Sequence, residues 1–287
     1  MSAEIRIVPR PERDLLGEGP VWVPERGCLF WVDIEAPGIR WLHLAEGTTG
    51  SRAFPEPVGW IIPREGRRDF VVGLKSGFAA YDVEADRLVP IGDPEPEHPD
   101  NRLNDAKVDH AGRIWAGSKH STGGIESGAL HRLDPDLTWR CLDRHYGVAN
   151  GPTFSLDGRV LFHSDSDART VYAFDLADDG SLTGKRPFLR FPEDWGYPDG
   201  MTTDAEGCLW IAHWGGGRIS RIDPQGQWMR SITLPATNIT SCAFAGPDLD
   251  RLFVTSSGQG HEQEPAAGAL FEVATGVTGL LPRSFRG

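Results

Sequence analysis

Large apolar residues recur along this chain in short bursts, each opened by Asp or Gly. The bursts are Gly27-Cys-Leu-Phe30-Trp-Val, Asp69-Phe70-Val-Val, Gly112-Arg-Ile-Trp115-Ala-Gly, Gly158-Arg-Val-Leu161-Phe-His, Gly207-Cys-Leu-Trp210-Ile-Ala and Asp250-Arg-Leu-Phe253-Val-Thr. A second, amphipathic run follows each of them: Gly38-Ile-Arg-Trp-Leu, Gly77-Phe-Ala-Ala-Tyr, Gly128-Ala-Leu-His-Arg-Leu, Arg169-Thr-Val-Tyr-Ala-Phe, Gly217-Arg-Ile-Ser-Arg-Ile and Gly268-Ala-Leu-Phe-Glu-Val. Short runs rich in Val, Ile, Phe and Trp, punctuated by Asp-Gly, Pro-Asp and Gly-Gly, predict antiparallel meanders rather than strands alternating with helices. A repeat of blade length, present six times, predicts an all-β fold: a six-bladed β-propeller in which each small sheet covers its neighbours' faces. A β-sandwich with coincidental spacing and a solenoid are the competing architectures. The propeller reading makes residues 1–287 one domain. Glu4–Val8 is then a candidate strand to complete the last blade beside the segment beginning at Gly268.

Counting back from each apolar burst exposes a polar position of constant phase. Glu18 precedes Phe30 by 12 residues, Asn104 precedes Trp115 by 11, Asn150 precedes Leu161 by 11, Asp199 precedes Trp210 by 11, and Ser241 precedes Phe253 by 12. Only the second repeat, Gly59-Trp60-Ile61-Ile62, is apolar there. The expected place is just before each blade's first strand. Since first strands line a propeller's channel, these distant side chains should converge. Converging carboxylates and an amide are costly to bury unless a cation lies between them, so the phase predicts a metal. Oxygen-only ligation suits calcium, magnesium or manganese, whereas zinc or ferrous iron more often recruits His or Cys.

Composition narrows the function. A net charge of -12 provides no basic stripe to neutralise phosphates, which argues against a nucleic-acid partner. The first residues, including Glu4, Arg6, Arg10, Glu12 and Arg13, lack the apolar centre of a signal peptide, and no apolar run approaches membrane-spanning length. The expectation is a soluble cytoplasmic protein, a monomer or weak homo-oligomer, with no membrane partner. Cys28, Cys141, Cys208 and Cys242 are far apart and without a C-x-x-C pair, so reduced thiols are expected.

Leu16-Gly-Glu18-Gly-Pro-Val-Trp22, Arg102-Leu-Asn104-Asp105, Asn150-Gly-Pro152 and Pro198-Asp199-Gly-Met201 together resemble the SMP-30/gluconolactonase family, which includes regucalcin and bacterial sugar lactonases. The resemblance continues through Asp204-Ala-Glu-Gly207-Cys-Leu-Trp210 and Thr240-Ser-Cys-Ala-Phe244, nearly end to end. It implies a six-bladed propeller with one divalent metal ion on Glu18, Asn150 and Asp199, in agreement with the phase argument. It also implies that Arg102 and Asn104 bind substrate hydroxyls, for which a guanidinium fork and an amide are suited. Animal members carry an acidic substrate contact in the loop after the third blade's outgoing strand. Here that loop, Ser118-Lys-His-Ser-Thr-Gly-Gly-Ile-Glu126, is shorter and differently charged, with Lys119 or His120 in reach of substrate. Trp214, with Trp60, is a candidate apolar wall beside the sugar, and core packing is the competing reading for both. His163 and His213 are expected to be structural.

The reaction implied is hydrolysis of a glucono-, xylono- or arabinono-type lactone to the aldonic acid, with Asp199 as general base. Two rivals remain at this level: an aryl-ester or organophosphate hydrolase on the same propeller, and a calcium-responsive binding propeller without catalysis.

Overall fold

The computed structural model describes residues 4–287 and consists of six four-stranded antiparallel sheets. The six apolar bursts are the second strands: Cys28–Asp33, Phe70–Leu74, Ile114–His120, Val160–Asp165, Leu209–Trp214 and Arg251–Ser257. The amphipathic runs form or lead into the third strands, among them Gly38–His43 and Gly128–Leu133. The first strands are Gly17–Val23, Val58–Pro63, Asn101–Val108, Ala149–Phe154, Tyr197–Thr203 and Asn238–Ala245. Each first strand packs beside the next, and the sixth returns to the first, so the sheets form a closed six-bladed ring around a channel. In the sixth sheet the outermost strand is Ile5–Ile7, which pairs Ile5 with Val273 and Ile7 with Phe271.

The apolar core is divided among the blade interfaces. Phe30, Val32 and Ile61 belong to the cluster between blades 1 and 2, and Trp60, Val71 and Ile114 to that between blades 2 and 3. Trp115 with Leu161, Phe162 with Ile211, Trp210 with Val254, and Trp22 with Phe253 anchor the other four. Every second strand is therefore apolar on both faces, since each face meets a different neighbour. Three of the deepest indoles are tied to a buried carboxylate: Trp31 donates to Asp14 (3.0 Å), Trp115 to Asp109 (2.8 Å) and Trp210 to Asp204 (3.0 Å). Arg10, Arg113 and Arg221 neutralise those three acids.

Each first strand carries a β-bulge near its start: at Glu18/Val21, Val58/Trp60, Leu103/Ala106, Asn150/Thr153, Pro198/Met201 and Ile239/Ser241. The constant-phase polar residues lie at these bulges, inside the strands rather than before them. A bulge sets two residues against one and re-aims a side chain, here toward the axis. The bulges also bring backbones of successive blades close. A Cβ on Gly59 would meet the Leu103 carbonyl oxygen at 2.5 Å, and one on Gly151 would meet that of Asp199 at 2.6 Å. Among the described residues no helix is long and apolar enough to cross a membrane.

A candidate metal and substrate site at the channel mouth

Glu18, Asn150 and Asp199 are all buried, at 5%, 4% and 4% exposure, on first strands that line the channel. The Asn150 amide donates to Asp199 Oδ1, joining blades 4 and 5. The same amide reaches Ser166 Oγ at 3.3 Å, and that hydroxyl donates to the Pro198 carbonyl at 2.6 Å, which fixes the Asp199 backbone. Glu18 accepts the Gly19 backbone N–H at 2.9 Å. Burial, followed by the charges of Asp199 and Asp105, pushes the Glu18 carboxyl well above the usual carboxylate range. Burial and then Asp105 raise Asp199 to about 8.

Asp105 is the residue that phase counting missed. It is buried, accepts the Gly151 N–H at 3.0 Å and the Ala106 N–H at 2.7 Å, and its own carboxyl is raised by burial. The bulge at Leu103/Ala106 explains the omission, because Asn104 and Asp105 stand there together where a regular strand turns one residue to each face. The adjacent polar pair Asn-Asp was the available signal.

Arg102 and Asn104 lie on the same strand and are joined directly, the guanidinium donating to Asn104 Oδ1 at 2.7 Å. Asn104 Nδ2 donates to the Ala149 carbonyl at 3.0 Å, so blade 4 holds the pair in place. Arg102 is 6% exposed and burial lowers its pKa. The charges of Glu35, Glu18 and Asp199 act on it through space. His120 is not brought to this cluster: its Nδ1 engages the Thr122 hydroxyl at 2.9 Å in the exposed loop. Lys119, opposite Arg102 in the strand pairing, is the side chain of that loop that faces the cluster, within range of the Asp199 charge. Trp214 is partly buried and, though part of blade 5, packs against the cluster of blades 1 and 2, so it leans across the mouth. Trp60 does not join it. Its ring is 1% exposed in the interface of blades 2 and 3, lying over Gly73. His163 and His213 are fully buried in their blades.

The donor set can be tested for a cation. Among the described residues no three or more His, Cys, Asp and Glu side chains stand together as a ligand group. An ion here therefore depends on the Asn150 carbonyl oxygen as well as Glu18 and Asp199. The electrostatics fit that demand. Buried carboxylates are raised because nothing sufficient opposes them, and a cation beside them returns them to the charged form. The all-oxygen set with one amide suits a hard divalent ion.

A cavity of about 1010 Å³ opens at the opposite end of the channel, lined by Ile61, Lys107, Thr153, Thr202 and Phe244, and reaches Asp105. Its walls are mainly apolar, threonine and peripheral charged side chains, so volume and chemistry do not coincide. The buried carboxylates mark the candidate site instead. A second cavity, about 280 Å³, flanks Arg102 between Lys75, Asp93, Glu95 and His98.

Residues 16–258 match the family described as SMP-30/Gluconolactonase/LRE-like region. The chain belongs to this family. It is 37% identical to regucalcin of Danio rerio, over 96% of either chain, and 34% identical to a 6-deoxy-6-sulfogluconolactonase of Pseudomonas putida over the full length of both. In three dimensions it superposes on a calcium-binding protein, regucalcin, of Agrobacterium tumefaciens with a TM-score of 0.94 at 26% identity, covering 100% of this chain and 98% of the other.

Proposed function

We propose that this family member hydrolyses a sugar lactone to the corresponding aldonic acid at the channel mouth, with Glu18, Asn150 and Asp199 holding one divalent ion. The observation that supports it most is the junction of Asn150 and Asp199, with the buried carboxyls of Glu18 and Asp105 acting on Asp199 or on each other through space. Family membership and relatives named as lactonases point the same way.

An ion held by Glu18, Asn150 and Asp199 would supply Lewis-acid polarisation of the ester carbonyl and lower the pKa of water beside it. Asp199, in its charged form, would take a proton from the attacking water as that water's oxygen adds to the carbonyl carbon. The bond between that carbon and the ring oxygen then breaks, and the proton held by Asp199 passes to the ring oxygen, which leaves as a hydroxyl and returns Asp199 to its charged form. Arg102 and Asn104 orient ring hydroxyls, their own geometry set by the bond between them and by Ala149. Trp214 shields one side of the mouth.

Asp199→Asn tests the assignment. Aldonolactone hydrolysis, corrected for spontaneous opening, should fall at least about a hundredfold, the scale of a lost general base, while circular dichroism is unchanged. Near-normal turnover by that variant removes Asp199 from the mechanism. Aryl esters assayed alongside separate a lactonase from a general esterase.

A further inference from the structure

Arg102 and Lys119 are directly opposite each other in the antiparallel pairing of Asn101–Val108 with Ile114–His120, so both side chains leave the same face. Directly opposed like charges destabilise a strand pair. Here they do so with little help from solvent, since Arg102 is 6% exposed and Lys119 is partly buried. The other largely buried arginines are neutralised: Arg10 by Asp14, Arg64 by Asp69, Arg113 by Asp109, Arg132 by Asp134 and Arg221 by Asp204. Arg102 has only neutral oxygens, the Leu103 carbonyl at 3.2 Å and Asn104 Oδ1 at 2.7 Å. Lys119 makes no ion pair or side-chain hydrogen bond among the described residues. Glu35, Glu18, Asp167 and Asp199 act on the pair through space, and none of them makes an ion pair with either side chain. Two adjacent cations are thus held without a contacting counter-ion among the described residues, at the rim of a site whose floor is acidic.

We propose that this pair binds an oxyanion on the substrate, so that the preferred substrate is a sugar lactone carrying a carboxylate or sulfonate at the end remote from the ester. The orientation follows from the strand. The site carboxylates lie inward at Asp105 and beyond, whereas the Arg102–Lys119 pair lies outward next to the rim pair Asn101–His120. A lactone whose carbonyl faces Asp199 presents its exocyclic terminus to that rim. Arg102 supplies a planar fork and Lys119 a point charge, the combination that holds an oxyanion with charge-assisted bonds. On a chain with net charge -12, a local positive pair is also what allows an anion to approach.

The inference rests on the lactonase reading, and its test separates the two. Three lactones of one ring are compared: glucono-γ-lactone and analogues whose terminal group bears a carboxylate or a sulfonate. In the native enzyme at least one charged lactone should exceed the neutral one by about tenfold in kcat/KM, mainly through KM. Lys119→Gln should remove that preference and Lys119→Arg keep it. A native enzyme that favours the neutral lactone, or a Lys119→Gln variant with unaltered preference, overturns the inference while lactone hydrolysis stands. If no lactone is opened the hydrolytic reading fails, and calorimetry with glucarate against gluconate then decides. Tighter glucarate binding that depends on Lys119 supports the anion site; equal affinity ends it.

Discussion

Gly151 shows how narrowly the site is set at the level of single residues. Its φ is +47°, and a Cβ there would lie 2.6 Å from the Asp199 carbonyl oxygen. Gly151→Ala therefore combines left-handed strain with a backbone clash, and should cost on the order of 2 kcal/mol or more. The clash displaces Asp199 itself, so lactone hydrolysis should fall further than melting temperature alone explains; loss of stability with full activity would contradict it. At this scale the sequence was readable where one side chain marks one blade. Glu18, Asn150 and Asp199 stand at equal phase because each bulge recurs at the same place. Asp105 was not readable by counting, because a bulge presents two residues where a regular strand presents one. Lys119 and His120 differ only in strand parity, and parity depends on a register that sequence does not contain.

At the level of elements, the apolar bursts marked second strands well because each of those strands is buried on both faces. First strands were placed one step too late, since their leading residues are polar or glycine and read as turns. Trp60 could line the site or pack in the core on sequence alone, and Gly73 leaves the room that puts it in the core. The strand Ile5–Ile7 contributes more than an edge. It leads to Val8, buried in the interface of blades 6 and 1, and to Arg10, which pairs with Asp14 at 2.7 Å beneath Trp31. Deleting residues 1–10 strips a sheet edge and leaves Asp14 buried with only the more distant Arg40, at 3.7 Å. An unpaired buried charge costs about 3–5 kcal/mol, so melting should drop on the order of 10 °C. A melting temperature unchanged by the deletion would show that blade 6 is closed without this strand.

Across the whole molecule, stability is spread over six interfaces rather than one core, and polar groups confined between blades become sensitive to pH. His163 is the clearest case: fully buried, neither ring nitrogen partnered among the described residues, and stacked edge-on to Tyr146 at 4.8 Å. Burial lowers its pKa from 6.5 to about 3. His213 follows more weakly, to about 4, for the same reason. A histidine whose folded pKa is depressed leaves stability untouched above the unfolded value. Below it the unfolded chain gains a proton that the folded chain refuses, so stability falls as pH drops from 6.5 toward 3. Between pH 6.5 and about pH 5 the interval is about 1.5 units, worth about 2 kcal/mol for His163. His163→Phe retains the stack on Tyr146 and removes the titration. Denaturant unfolding of both proteins should therefore show the variant gaining about 2 kcal/mol on the native chain when pH is lowered from about 7 to about 5. Any overpacking by phenylalanine is equal at both pH values and cancels in that comparison, so a difference that does not move with pH would mean His163 protonates in the folded state as readily as in the unfolded one.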